Sequence, residues 1–388
     1  MTVRRLLTRL AIASATLTLP TTAAAQGVDG YASIAIDRLP AVDFSPDRSA
    51  AVSELRARLF IERRIVFGPH LKITAAGFID GLLADRGQPV ASRAAIVRPQ
   101  ELHLEAAWAH ADLRVGMSRV TWGRLDEFLP TDVVNPLDLA RFFLEGRAEA
   151  RLPVAMVRAR WLPSDRLTVE GVYAPLFRRG TFDQLDEATS PFTIAPPLPR
   201  ALEPRRGWRS AQGGVRASVT SGRVDWSATA YRGFDPGPAV LPERYTMIGG
   251  DFETVRGPWG VRGEMAVFDG RETAEAGIGV DRRAGEYRIS GSVLVAERWA
   301  ASAARDRRDL TVVASLDRSF ARETRTLRVF TVYNPGEASA FARVVSIFNL
   351  LDNLSVEASA GLFTGDGSDV LSRFATRDFL SARCKVYF

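Results

Sequence analysis

The sequence predicts an all-β chain that closes into an antiparallel transmembrane β-barrel of about 18 strands, and 16 strands lie within the boundary error of such a count. Three observations predict this fold. Segments that alternate apolar and polar residues recur along most of the chain, their connections alternate between short and long, and charged residues recur on the polar face in mid-segment. No apolar run beyond the N-terminal segment approaches the roughly 20 residues of a spanning helix.

The alternation is clear in residues 54–62, where every second side chain is apolar and the intervening ones are mostly charged. Leu55 and Leu59 share one face, while Glu54, Arg56 and Arg58 share the other. Period-two alternation of this kind is typical of a strand with one apolar and one polar surface. The complete set of predicted strands is 30–38, 52–64, 70–82, 100–110, 112–120, 152–162, 167–175, 213–220, 223–233, 243–254, 260–268, 273–282, 286–297, 308–318, 325–333, 339–349, 353–363 and 378–388.

The strands of a soluble β-protein would also alternate apolar and polar residues. The strand count and the positions of the charges therefore decide between a soluble fold and a membrane barrel. About 18 strands rarely remain one two-layer domain. A closed barrel satisfies every backbone group in lipid, and its water-filled interior tolerates charge in mid-strand. The predicted lumen residues are Arg56, Arg58, Glu105, Arg158, Glu170, Arg216, Glu264 and Arg288.

Residues 1–25 have the three parts of a secretory signal peptide. Arg4, Arg5 and Arg9 form a positive start, an apolar stretch follows, and the small residues 23–25 suit a cleavage site. We therefore expect residues 1–25 to be removed and residues 26–388 to form the barrel. Without the three arginines the formal charge falls from +6 to +3, and this near balance argues against nucleic-acid binding.

The C-terminal segment ends an alternating strand on Phe388, with Cys384 on the same face. This ending resembles the recognition signal of Gram-negative outer-membrane β-barrels. The resemblance implies the outer membrane as the location, with its lipid and the barrel-assembly machinery as partners. Aromatic residues near strand ends fit the interfacial girdles of such barrels; they are Trp108, Trp161, Trp226, Trp259, Trp299, Tyr333 and Phe388.

The long connection 121–151 carries the most informative motif. It begins Trp122-Gly123-Arg124 and continues through Asn135-Pro136 to Asp138, a pattern of the form W-G-R-x-D followed by N-P-x-D. Residues 112–177 resemble a poorly characterised family of porin-like outer-membrane proteins. The resemblance implies a channel or export role with no settled substrate.

Ten charges of both signs lie in this connection, which suits a segment folded into the lumen as a constriction. Opposed charges at a narrow point create a transverse field that selects among solutes. An outer loop held together by salt bridges is the alternative. The residues predicted to form the constriction are Arg124, Asp126, Glu127, Asp132, Asp138 and Arg141.

The predicted function is passive diffusion of small solutes through a polar lumen narrowed by residues 121–151. The first alternative is export or uptake of a hydrophobic or lipid-like compound with a periplasmic partner, and the second is a plugged structural or adhesion barrel. His70, His103 and His110 are the only histidines, and no GxSxG motif accompanies them, so the sequence predicts neither an enzyme, a metal site nor a cofactor. Porins are often trimers, but no residue identifies a subunit contact.

Overall fold

A computed structural model describes residues 28–39, 52–85, 92–180, 204, 210–237, 242–299, 307–375 and 377–388. The predicted signal peptide, residues 1–25, lies outside these ranges and stays a prediction. None of the helices in the described ranges is long and apolar enough to cross a membrane.

The described residues form a single closed barrel of 18 antiparallel strands, which confirms the predicted fold class. Each strand pairs with its neighbours in the chain, and β18 pairs with β1 to complete the circle. The strands are β1 (Val28–Leu39), β2 (Val52–Phe67), β3 (Leu71–Asp85), β4 (Ser92–Trp108), β5 (Ala111–Ser118), β6 (Val154–Ser164), β7 (Leu167–Ala174), β8 (Gln212–Ser221), β9 (Val224–Phe234), β10 (Arg244–Arg256), β11 (Trp259–Asp269), β12 (Thr273–Ala284), β13 (Tyr287–Arg298), β14 (Arg307–Phe320), β15 (Arg325–Asn334), β16 (Ser339–Leu351), β17 (Leu354–Thr364) and β18 (Phe379–Tyr387).

The seam between β1 and β18 is closed by main-chain hydrogen bonds. Tyr31 lies opposite Tyr387, and the pairing continues to Arg38 opposite Leu380. At the end of the seam Gly30 N–H donates to the Phe388 carbonyl, and Phe388 N–H donates to the Gly30 carbonyl, both at 3.0 Å. The barrel therefore has no free edge at its seam.

The connections divide the barrel into two ends. The turn end carries eight short turns, one after each even-numbered strand from β2 to β16, together with residues 28 and 388. The loop end carries the remaining connections, of which 119–153 is the longest that the structure describes without a gap. The described parts of the loop-end connections contain three short helices: α1 (Leu139–Glu145) and α2 (Arg147–Ala150) between β5 and β6, and α3 (Val370–Arg373) between β17 and β18.

The two faces of the wall differ as the alternation requires. In β1, Ile34 and Ile36 are about half exposed on the outer face, whereas Ala35 and Asp37 are buried inside. The same pattern recurs around the barrel, so its outer face is apolar and its inner face is mixed polar and apolar. The predicted girdle aromatics all lie exposed on the outer face, five at the turn end and Trp299 and Tyr333 at the loop end.

The largest difference from the predicted boundaries is in β4, which begins at Ser92 instead of residue 100. Its register against β3 shifts between Ala76 and Gly77, which face Glu101 and Pro99. The shift leaves Gln100 as an extra residue, which breaks the period-two pattern. Proline also interrupts a strand signal because it cannot donate a ladder hydrogen bond. The sequence pattern therefore hid the first part of this strand.

Candidate functional site

The connection between β5 and β6, residues 119–153, folds into the barrel; we call it the inner loop. Trp122, Leu144 and Ala150 of this loop are almost completely buried, at 1%, 2% and 0% exposure. Its side chains contact inward-facing residues of strands on several sides of the barrel. The inner loop therefore occupies lumen that would otherwise be open.

Two apolar clusters anchor the inner loop to opposite sides of the wall. Phe143 of α1 packs against Phe341 of β16, Phe363 of β17 and Phe374 after α3, with ring centroids 4.8–5.1 Å apart. On the other side, Trp122 packs edge-on against Tyr231 of β9 and lies in the same buried cluster as Tyr245 and Phe268. Aromatic side chains of this size bury large apolar areas, so both contacts fix the loop strongly.

Glu264 of β11 holds the first part of the loop. Its buried carboxylate accepts hydrogen bonds from Thr131 N–H and Oγ1 at 2.7 Å, from Arg124 N–H at 3.0 Å and from Leu125 N–H at 3.2 Å. Gly123 has a positive φ of 93°, and a Cβ there would lie 2.4 Å from a Glu264 carboxylate oxygen. The glycine of the W-G-R motif is therefore required by this close approach.

Two polar side chains fix the loop to itself. The Asn135 side chain accepts from Val120 N–H at 2.7 Å and donates to the carbonyls of Ser118 and Leu152, so it ties together the two ends of the loop. The buried carboxylate of Asp132 accepts from Arg147 and Arg151 at 2.5–2.8 Å and from Trp122 N–H at 3.2 Å.

Charged pairs connect the loop to β10 and its neighbours. The Arg124 guanidinium donates to Asp251 at 2.8 Å and to Glu253 at 2.9 Å. Arg216 of β8 also donates to Asp251, at 2.9 Å. Beside them, Asp126 of the loop accepts from Arg262 of β11 at 2.7 Å. These pairs hold residues 124–126 against the wall.

Glu145, the last residue of α1, binds a cluster of arginines on the opposite side. Its side chain is 2% exposed and forms ion pairs with Arg56 and Arg58 of β2 and with Arg383 of β18. Burial alone would raise the pKa of Glu145, but Arg58, Arg56 and Arg383 outweigh it and hold the pKa well below its ordinary value. Glu145 is therefore ionised throughout the range in which the barrel would function.

Among the described residues, two cavities lie between the inner loop and strands β13–β17, with volumes of about 210 and 160 Å³. Both are lined by Glu127 of the loop and by Arg328 and Phe330 of β15. The larger cavity extends towards β16 and β17, and the smaller one towards β13 and β14. Other charged residues of the two linings are Asp126, Glu145, Arg288, Asp317, Arg343 and Glu357.

The structure separates the residues that the sequence grouped as a constriction. Asp126 and Glu127 line the cavities, whereas Arg124 and Asp132 are held in the contacts already described. Asp138 lies elsewhere in the loop and accepts from Arg98 of β4 at 3.0 Å. Arg141 lies in α1, and its side chain is outside the described part of the structure.

The residues predicted to face the lumen lie on the inner face, and most take part in ion pairs there. Arg158 and Glu170 pair at 2.5 Å, and Glu105 binds Lys72 and Arg114. Arg288 is 48% exposed and lies 3.7 Å from Asp281. The other predicted lumen residues take part in the loop contacts described above. Arg56 and Arg58 pair with Glu145, Glu264 binds Thr131, and Arg216 binds Asp251, which also binds Arg124.

Phe330 and Arg343 are cavity residues that the sequence reading did not select. Arg343 lies in β16 between Phe341 and Val345 on the inner face, while Val344 is on the outer face. Because both faces of this segment are largely apolar, period-two alternation gave no clear signal for an inward arginine. Period-two alternation places Phe330 on the same face as Arg328, but nothing in the local sequence indicates that it lines a cavity instead of packing against other side chains.

Residues 104–279 match the model of a family described as a protein of unknown function (DUF1302). No curated protein matches the chain. Among solved structures the chain resembles Acinetobacter baumannii OccAB3, with a TM-score of 0.58 and 9% identity over 93% of this chain and 99% of that one. It also resembles Pseudomonas aeruginosa OpdQ, with a TM-score of 0.57 and 8% identity over 93% and 98% of the two chains. At this identity the likeness shows a shared fold along almost the whole chain.

Proposed function

We propose that the protein is an outer-membrane channel through which small polar solutes diffuse, and that the inner loop forms its constriction. The cavities between the loop and β13–β17 carry this proposal, because they are lumen space bounded by charges of both signs. Opposed charges of this kind filter solutes at a narrow passage. The structural neighbours are outer-membrane porins, which supports the same function.

The outer surface supports a location in the outer membrane. Its wall is apolar between aromatic residues at the two ends, as in barrels that span that membrane. Short turns of such barrels face the periplasm, so the turn end is the periplasmic end and the inner loop enters from outside. We further propose that residues 1–25 are removed during export and that the barrel-assembly machinery inserts the barrel into the membrane. That the barrel forms an oligomer is also a prediction.

The charged residues in the linings favour this function over transport of a hydrophobic compound. Such a compound needs a continuous apolar path or a lateral opening. Both cavities instead contain Arg328 and Glu127, and the larger one adds Arg343 and Glu357. Desolvating these groups against an apolar solute would cost free energy, because buried charges require partners.

Single-channel recording in planar bilayers tests the proposed function. We expect the purified mature protein to produce steady current steps in KCl. Asp126→Asn should change the ion selectivity of the steps, because it removes a charge at the edge of the smaller cavity. Glu297→Gln is a matched control, since Glu297 pairs with Arg308 on the exposed outer surface. Bilayers that stay silent with correctly folded protein would refute an open channel.

Lowering the pH should make the channel more selective for anions. Burial raises the pKa of Glu127, and neighbouring Asp126 adds to that effect, while Arg147, Arg328 and Arg343 oppose it. The carboxylate therefore takes up its proton at a higher pH than an ordinary glutamate, and the lumen then loses a negative charge.

Reversal potentials in a KCl gradient measure this effect. Between pH 7 and pH 5 the ratio of K⁺ to Cl⁻ permeability should fall in the wild type and change less in Glu127→Gln. Equal pH profiles for the two proteins would show that another group controls selectivity.

A further inference from the structure

We infer that the cavities bind a small zwitterionic solute with an apolar side group, whose cationic end faces Glu127 and whose anionic end faces Arg328. This inference rests on the proposed channel function and adds a substrate class to it. Three features of the region that the two cavities share support this inference. The inner loop supplies the carboxylate of Glu127, and the wall supplies the accessible guanidinium of Arg328 and the aromatic ring of Phe330.

Glu127 supplies the negative side. In the part of the chain that the structure describes, its carboxylate forms no hydrogen bond or ion pair, although its main-chain carbonyl accepts from Arg147. The other loop acids near the cavities, Asp126 and Glu145, are already bound to arginines. A partly buried carboxylate without a partner favours a cationic group that supplies the missing hydrogen bonds.

Arg328 supplies the positive side. Its Nε donates to Asp317 of the neighbouring strand β14, while its side chain remains 59% exposed to the lumen. A guanidinium held in this way keeps further N–H groups for a carboxylate or another anion. Because Glu127 lies on the loop and Arg328 on the wall, a solute between them meets opposite charges on its two sides.

The aromatic surface gives the region its apolar part. Phe330 lines both cavities, and its ring lies 6.2 Å from that of Phe341 in an edge-to-face arrangement. Phe142 of the loop also lines the larger cavity. The cavity of about 210 Å³ is several times the volume of one water molecule, so it accommodates a small organic side group.

The experiment compares three solutes that share a phenyl group and a short alkyl chain and differ in the charged groups that they carry. Phenylalanine carries both charges at pH 7, phenethylamine carries the cation alone, and 3-phenylpropionate carries the anion alone. Each is added to single channels recorded in KCl, and the duration of the current interruptions is measured. We expect phenylalanine to interrupt the current about fivefold longer than either relative, since each exposed charge contact adds a modest free energy.

Two variants assign the charges to residues. Glu127→Gln should shorten the interruptions by phenylalanine and phenethylamine but not those by 3-phenylpropionate. Arg328→Gln should shorten those by phenylalanine and 3-phenylpropionate only, and Arg328→Lys should restore part of the effect. Glu297→Gln and Arg308→Gln, an exposed pair on the outer surface, serve as matched controls.

The outcomes distinguish this inference from the proposed function. Steady conductance with equal interruptions for all three solutes would overturn the zwitterion site and leave the channel intact. Interruptions by phenylalanine that are unchanged in both variants would likewise overturn it. Absence of any conductance would instead refute the proposed function on which the inference rests.

Discussion

Excision of most of the inner loop should raise the single-channel conductance by about threefold, because ion flow scales with the open cross-section of the pore. We would replace residues 123–149 with a Gly-Gly-Ser linker. The two stems of the loop start from neighbouring strands, since Ser118 of β5 pairs directly with Val154 of β6, so a short linker can join them. Planar-bilayer recording measures the change.

The control is that the shortened chain still forms the barrel. The strands pair mainly with one another, so we expect an unchanged β-sheet spectrum by circular dichroism and retained heat-modifiable migration in gels. Swelling of liposomes in larger sugars should also become faster. A folded variant with the conductance of the wild type would show that the inner loop is not the constriction.

Asp132→Ala should cause a large loss of stability of the inner loop. Asp132 is the buried carboxylate partner of Arg147 and Arg151, whose side chains are 15% and 6% exposed. Removing it leaves two positive charges together in the lumen without that partner. The loss of one member of a buried ion pair costs about 3–5 kcal/mol.

Thermal unfolding in detergent, followed by circular dichroism and by gel mobility, measures this effect. Limited proteolysis should additionally show earlier cleavage within residues 119–153. Asp132→Asn retains an acceptor of the same size and should lose less stability, whereas Asp126→Asn affects a carboxylate that is 41% exposed and should lose little. Equal unfolding temperatures for Asp132→Ala and Asp126→Asn would contradict the anchoring role of Asp132.

The sequence predicted the wall well because the physical signal is local. Each strand must present apolar residues to lipid and polar ones to the lumen, and this requirement is visible within nine residues, as in 54–62. All 18 predicted segments correspond to strands. The start of β4 is the boundary that differs most from its prediction. The strand contains Pro99 and a bulge at Gln100, and both interrupt the alternation of apolar and polar residues.

The interior was less predictable because its contacts join distant parts of the chain. Charge composition identified residues 121–151 as a candidate constriction, and alternation identified Glu264 as inward-facing. Nothing local shows that Glu264 binds Thr131, 133 positions earlier, or that Glu145 binds Arg58, 87 positions earlier. The helices α1 and α2 are also too short for a recognisable period.

The pairing of Gly30 with Phe388 has a consequence for biogenesis. It joins β1 and β18, the first and last strands of the barrel, so closure of the barrel awaits synthesis of β18. Until then β1 and the most recently made strand each carry a row of unsatisfied main-chain groups, which hydrocarbon cannot tolerate and which invite aggregation. Because the barrel cannot close without β18, a chain that ends before this strand should keep unpaired main-chain groups and be prone to aggregation and proteolysis.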